Sequence, residues 1–445
     1  MPLDRRRLLL GSFTGATALA VPVAAEAAAH GVDAARFGVR PGAPDDQSAK
    51  LQRAIDHAAR SRLPLFLAPG RYRAGGLTLR SGSQIVGVRG ATRLVYGQGP
   101  ALLAGEHAET VTLAGLVLDG GGQQLPPRHG LVHLTDVSGL RITDCTIAGA
   151  GGDGMTLLRC DGTISGNTVT DAADNGLFSN DSRGLIVSGN TIRGSGNGGL
   201  RVWQSDKRHD GSLVADNTIT GTKARAGGSG QNGNAINVYR AADVIMRGNH
   251  IDGAAFSAIR GNGADNMQIL GNNCRNLGEV ALYAEFDFEG AVIANNTVQG
   301  AEIGIVSTNF NDGGRLAVIQ GNLVRDLTAT APQGTSAGIG IAAEADAAVT
   351  GNIVENAPGI GISIGAGKYM RDVAVSGNVV RKSGIGIGVS VSAGAGNAVI
   401  ANNLIAGSSR GAIVGMEWQK AVTGDLSQSG AGRYPRLQIS GNKVS

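Results

Sequence analysis

A short signature returns along almost the whole chain and restricts what it can fold into. Gly-Asn, or a close variant, is followed two positions later by an apolar residue. It reads "SGNTV" at Asn167, "SGNTI" at Asn190, "ADNTI" at Asn217, "RGNHI" at Asn249 and "LGNNC" at Asn272. The series goes on through Asn296, Asn322, Asn352, Asn378 and Asn403 to "SGNKV" at Asn442, and Cys145 in "TDCTI" holds the same place one turn before it begins. Steps between successive asparagines run from 23 to 39 residues. A minimum period with insertions marks a solenoid, in which each repeat buries its apolar side only against its neighbours.

Two short alternating stretches sit in every repeat. One precedes the asparagine, as in "LIVSGNTI"; the other follows a small residue, as in "GLRVW", "AINVY" or "ALYAE". Alternation of Val, Ile and Leu with polar or small residues predicts half-buried strands. The intervals are too short for crossover helices between parallel strands, so the chain must wind as a coil. The 72 glycines suit corners that need positive φ. The recurrent asparagine suits either amides stacked from coil to coil or plain turn chemistry. Both give an all-β solenoid, a single-stranded parallel β-helix.

Residues 37–88 differ from the repeats. Phe37 to Pro44 reads as a turn-rich strand end. Asp45 or Asp46 can cap a helix running to about Arg60, with Leu51, Ile55 and Ala58 or Ala59 on one face. Leu65–Leu67 reads as a buried strand, and "APGRYRAGGLTL" as a hairpin-like continuation. This segment would cover the open end of the coil, where strand edges are otherwise exposed. The expected organisation is a leader over 1–29, a cap with first coils over 30–100 and the β-helix repeats over 101–445.

The order FG-x-x-P-G, Asp-Asp, helix, "LFLAPGRYRAGGLTL", "VG" resembles the amino-terminal part of proteins of the pectate-lyase superfamily. The resemblance implies a right-handed parallel β-helix. It also implies a range of activities, from pectate lyases, polygalacturonases and mannuronan epimerases to phage tailspikes and proteins of unassigned activity, so the fold alone names no chemistry.

At the start, Arg5-Arg6-Arg7 precedes an apolar run from Leu8 to Val23 and small-residue sites near Ala25–Ala29. This is the layout of an export signal and resembles the twin-arginine type. It implies passage of a folded protein through the twin-arginine machinery by way of residues 1–29, to the periplasm or the outside. No later run is long and apolar enough to span a membrane, so no membrane span is expected in the mature protein. Without residues 1–29 the formal net charge is +3, which is no nucleic-acid signature and tolerates an acidic polysaccharide. Cys145, Cys160 and Cys274 cannot form a disulfide framework. They read as packed thiols, with a Cys145–Cys160 bridge left open.

Family-specific catalytic motifs are missing. There is no Asn-Thr-Asp or coil-borne Asp-Asp with a following Gly-His-Gly, and no Asp-Pro-His. Asp153 in "GGDGM" and Asp174 in "ADNGL" read as structural Asp-Gly or Asn-Gly turns, and His133 as inward-pointing beside Val132. No Cys/His cluster suggests zinc and no loop suggests a phosphate cradle.

Geometry therefore has to locate the site. Aligning the second strands on Met155, Leu177, Leu200, Ile236, Ile259, Leu282 and Ile305 gives an outward column Thr156, Phe178, Arg201, Asn237, Arg260, Tyr283, Val306. A second outward column follows two residues on: Leu158, Asn180, Trp203, Tyr239, Asn262, Glu285, Thr308. The insertions "QSDKRHDGS" and "TKARAGGSGQNG" fall at the turns bearing Trp203 and Tyr239, and insertions on repeat scaffolds gather on the binding face. Phe178, Arg201, Trp203, Asn237, Tyr239 and Asn262 are the expected substrate-binding residues. Aromatic faces stack on sugar rings and Arg pairs with uronate carboxylates.

Residues 280–290, "VALYAEFDFEG", are the expected catalytic coil. If alternation persists, Tyr283, Glu285, Asp287 and Glu289 point outward and Phe286 and Phe288 inward. Carboxylates at i and i+2 would stand about 6.7 Å apart, near the range of an inverting glycosidase pair. Glu285, Asp287 and Glu289 could also hold Ca²⁺, although no cofactor is required by the sequence. For a lyase, Arg260 or Tyr283 could take the proton α to a uronate carboxylate, with Arg201 or a metal neutralising that carboxylate. The expected function is an exported protein acting on an acidic polysaccharide or oligosaccharide as lyase, hydrolase or epimerase. The alternative is a glycan-binding or structural, adhesive β-helix without catalysis.

Overall fold

The computed structural model describes residues 30–228, 230–308, 314–329 and 338–445. The leader at residues 1–29 lies outside them. From Val32 onward the chain winds as a parallel β-helix whose coils carry up to three strands each. The first face holds the strands that precede the asparagines. Among the described residues it is one continuous sheet of 16 strands, from Val32–Asp33 to Leu437–Ser440. The second face holds the short strands after each asparagine, such as Thr168–Thr170 and Thr191–Arg193, paired in parallel. The third face holds the "GLRVW"-type strands, from Gly130–Ser138 through Asp153–Leu158, Asn175–Asn180 and Gly198–His209 to Ile413–Glu417.

The signature residues turn the corner between the first two faces. The residue before each asparagine is left-handed. It is glycine at most of them, as at Gly271 (φ 61°) and Gly377 (φ 66°), and Asp or Asn at Asp216 (φ 56°), Asn295 (φ 58°) and Asn402 (φ 56°). Short polar side chains tolerate that conformation next best after glycine, which explains "GN", "DN" and "NN" as one motif. From Asn167 to Asn442 each side-chain Nδ2 donates to the Oδ1 of the next asparagine at 2.9–3.0 Å. Asn272 shows the full pattern: its Nδ2 also donates to Met246 O at 3.0 Å, and its backbone N–H to Asn296 Oδ1 at 2.8 Å. From Asn167 to Asn403 these amides are buried and hydrogen-bonded, as buried amides must be.

Inside the coil, Leu, Ile and Val stack in rows such as Leu200, Ile236, Ile259, Leu282 and Ile305, all with no exposed surface. Cys145, Cys160 and Cys274 are free and buried in this stack. Burial pushes the thiols of Cys145 and Cys274 up to about 12 and that of Cys160 up to about 11, so they behave as packing groups.

The amino-terminal end is closed by a helix over Ser48–Ser61, which buries Leu51, Ala54, Ile55, Ala58 and Ala59 against the first coils. Asp46 Oδ1 accepts from Ser48 N at 2.7 Å at its start. Two expectations for this segment are corrected. Phe37 to Pro44 holds no strand: it follows a 3-10 turn over Ala34–Phe37 and runs on as turns through left-handed Gly38 and Gly42. "APGRYRAGGLTL" is no hairpin: Gly70–Ala74 pairs in parallel with Thr92–Tyr96, and Leu77–Leu79 with Leu103–Gly105. Coil closure puts the partner one turn away instead of next in sequence. Among the described residues the antiparallel pairing is Ile413–Glu417 with Lys420–Asp425, within the long step between Asn403 and Asn442.

Candidate functional site

Side chains of the third face line a cleft of about 820 Å³. Strand pairing puts Phe178, Arg201, Asn237, Arg260 and Tyr283 at one register, and Asn180, Trp203, Tyr239, Asn262 and Glu285 at the other. Alternation survives in this region because each strand buries one face in the coil, and a slip of one residue would turn the apolar row outward. The middle of the cleft is aromatic. Phe178 meets Trp203 edge to face at 5.5 Å, and Trp203 meets Tyr239 at 5.6 Å. Trp203 Nε1 donates to Asn237 Oδ1 at 2.7 Å, which fixes the indole. The two insertions contribute to the lining, Gln204 and Ser205 from one and Gly230 and Gln231 from the other.

At one end lies Glu285. It is buried and held by Arg260, whose Nε donates at 2.8 Å and whose Nη2 makes a second short bond; Asn262 Nδ2 donates at 3.0 Å. The Arg260 guanidinium also lies 4.9 Å from the Tyr283 ring and 3.6 Å from Glu279. Burial acts to lower the Arg260 pKa, but its bonds to Glu285 outweigh that and raise it. Burial raises Tyr283 to about 12 and pushes Glu279 upward as well. Both shifts favour the protonated forms of Arg260 and Tyr283.

The structure separates the three acids of "VALYAEFDFEG". The strand ends at Glu285, and Phe286 (φ 41°) and Asp287 (φ 46°) are both left-handed, so alternation stops there. Phe288 is buried as expected, whereas Phe286 is half-buried. Asp287 is exposed beside Lys207, 3.5 Å away. Glu289 opens a first-face strand and pairs with Arg315. Neither the i, i+2 carboxylate pair nor the calcium set Glu285, Asp287 and Glu289 is assembled, and among the described residues no group of three His, Cys, Asp or Glu could hold a metal.

The opposite end carries groups that the sequence pattern assigned to turns. Asp153, Asp174 and Asn175 line the cleft with Arg201 and Arg128. Asp153 is 2% exposed. Its Oδ1 accepts from Asn175 N at 3.0 Å and Nδ2 at 2.7 Å, and its Oδ2 pairs with Thr156 Oγ1 at 2.9 Å. Burial, then the charge of Asp174, raise the Asp153 carboxyl to about 6. Arg201 is buried; desolvation lowers its pKa, opposed by Asp174 and Asp153. Its Nη2 donates to Asn232 Oδ1 at 2.7 Å and its guanidinium lies 5.1 Å from the Trp203 ring. His133 is not inward: it pairs with Thr156 at the head of the first outward column, with its ring 4.4 Å from that of His129. The missed signal is a further column, Asp153, Asn175, Gly198, Asn234, two residues before each inward apolar position.

Comparison with known proteins bears on the fold. No curated protein matches the chain in sequence. Among solved structures, the pre-mature gene product 12 of bacteriophage phi29 aligns with TM-score 0.53 at 14% identity, over 86% of this chain and 55% of its own. The chain thus spans about half the length of that phage protein. The Azotobacter vinelandii mannuronan C-5 epimerase AlgE6 A-module aligns with TM-score 0.47 at 15% identity, over 93% of this chain and 99% of the module. The catalytic unit of the GH87 α-1,3-glucanase of Streptomyces thermodiastaticus gives TM-score 0.46 at 15% identity, over 93% and 68%. These likenesses concern the fold alone. The sequence profile described as "Right handed beta helix region" matches residues 120–219 and 208–379, more than half of the chain. With its coils, its stacked asparagines and its end-capping helix, the chain belongs to this family of right-handed parallel β-helix proteins.

Proposed function

We propose that the protein acts on a polysaccharide laid along the third face, that its substrate contains uronate units, and that it is delivered to the periplasm or beyond by the twin-arginine route through residues 1–29. The observation that carries the reading is the buried Arg201 in a cleft with Phe178, Trp203 and Tyr239. Among the described residues no carboxylate makes an ion pair with Arg201. Asp174 and Asp153 offset its burial only through space, and an arriving carboxylate could bond the guanidinium directly. Aromatic surfaces beside it provide stacking area for sugar rings. Lyase, hydrolase and epimerase chemistry are the reactions in view, and none of the site residues requires a metal.

Assay of the mature chain against uronans and neutral glycans, by reducing-end release, unsaturated products and calorimetry, tests the reading. Binding of uronans that weakens in Trp203→Ala and Tyr239→Ala supports it; no interaction with any glycan removes it. A second reading, glycan binding without turnover, is favoured by the Arg260–Glu285 pairing, which locks the charged groups at one end of the cleft. Binding without products would select it.

A further inference from the structure

We infer that the proton-transfer centre of the cleft is the Asp153–Asp174 pair, with Asp153 as the acid and Asp174 as the base in hydrolysis of a glycosidic bond. The inference rests on the glycan reading above and moves its chemistry away from Glu285.

Three observations converge. Asp153 and Asp174 stand on consecutive coils and both line the cleft. Among the described residues neither makes an ion pair. Asp174, half-buried, accepts from Asn197 Nδ2 at 3.0 Å, while Asp153 sits in the bonds from Asn175 and Thr156. Secondly, two polar atoms next to them are buried and have no partner: Asn175 Oδ1 and Arg201 Nε. Asn175 is 2% exposed and Arg201 7%. They converge on the bare Cα of Gly198, where an added Cβ would lie 2.5 Å from the oxygen and 2.9 Å from the nitrogen. One unsatisfied acceptor and one unsatisfied donor thus stand side by side, the hydrogen-bonding complement of a hydroxyl, which can give one bond and take another. Thirdly, the environments of the two carboxyls differ. Burial raises Asp153 to about 6. The other charged and titratable groups around it are Asp174, Arg201, Arg128 and His129. A buried carboxyl whose proton is held more tightly, beside a second and more open one, suits the division of labour between acid and base catalysis.

The reaction balances with water as co-reactant. The Asp153 carboxyl gives its proton to the glycosidic oxygen as the bond from that oxygen to the anomeric carbon breaks, the electron pair staying on oxygen. Water bonds to the anomeric carbon and yields a proton to the Asp174 carboxylate. The cycle closes when that proton returns to Asp153 through solvent.

The test uses the mature chain with polygalacturonate, alginate and an α-1,3-glucan as probes. The expected result is reducing-end release from one of them, with a falling pH limb near 6. Asp153→Asn should lower kcat by about 10²- to 10⁴-fold while the Kd for the same glycan stays within about threefold. Asp174→Asn should lower kcat comparably. Should Asp153→Asn fail to fold, Asp174→Asn and a ¹³C carboxyl titration of Asp153 in the native protein decide the matter; a carboxyl titrating near 4 overturns the inference. Turnover that survives both substitutions overturns it while leaving the glycan reading intact. Glycan binding without hydrolysis does the same. Failure of the wild-type chain to bind any probe overturns the glycan reading itself.

Discussion

At the Glu285 end of the cleft, a buried carboxylate meets a buried guanidinium in a two-pronged contact, and Asn262 takes up a further lone pair. At the Asp153 end, a buried carboxyl is met by neutral donors, while the nearby buried guanidinium of Arg201 is bound to an amide oxygen. Charge is settled by a direct ion pair at the first end, whereas among the described residues no ion pair forms at the second. Desolvating a charge is expensive unless a partner lies in good geometry. The first arrangement therefore anchors the coils, and the second is the one that the proposed substrate would complete.

Breaking the anchored end should have the largest effect. Arg260→Met leaves Glu285 buried without its cation, and unfolding by denaturant should show a loss of about 3–5 kcal/mol. Arg260→Met with Glu285→Met should recover most of it. Next comes the open end. The folded carboxyl of Asp153 is raised from 3.8 to about 6. Between those values the native state holds a proton that the unfolded chain has lost, so stability falls as pH rises through that window and stays low above it. Asp153→Asn should match the wild type below the window and exceed it by about 3 kcal/mol above it, read from denaturation curves at both pH values. Between the ends, Trp203→Ala removes the ring that contacts both Phe178 and Tyr239, and glycan affinity should drop about tenfold by calorimetry. The smallest effect belongs to Lys207→Ala. Lys207 reaches Asp265 at 2.9 Å and Asp287 at 3.5 Å on the exposed rim, and the loss should stay below about 1 kcal/mol. Equal responses at the two ends would dissolve the contrast.

The coil, the three packed cysteines and both outward columns were legible in the sequence, because strand alternation and the left-handed residue before each asparagine are local rules. The ends of strands were not. Whether alternation continued past Glu285 depended on two residues, Phe286 and Asp287, whose positive φ no composition announces. Asp153 was read as a turn because Asp before Gly looks the same at a solvated corner and under a cleft. His133 was placed inward since Val132 and Leu134 beside it are both apolar, but they take the inward positions and leave the outward one to His133. What separated the two charged ends was the partner of each carboxyl one coil away, and that is a property of tertiary pairing.

The register of the third face has one more consequence. Each step from the Asp153 coil through the strands bearing Leu177, Leu200, Ile236, Ile259 and Leu282 advances one inter-strand spacing. The two charged ends are thus about 24 Å apart, five units of about 4.8 Å. The coil works as a graduated ruler. Adding or removing a whole turn between Asp153 and Glu285 would change the reach of the cleft by one graduation and leave both ends as they are, so the length of ligand that spans it is written in the number of repeats.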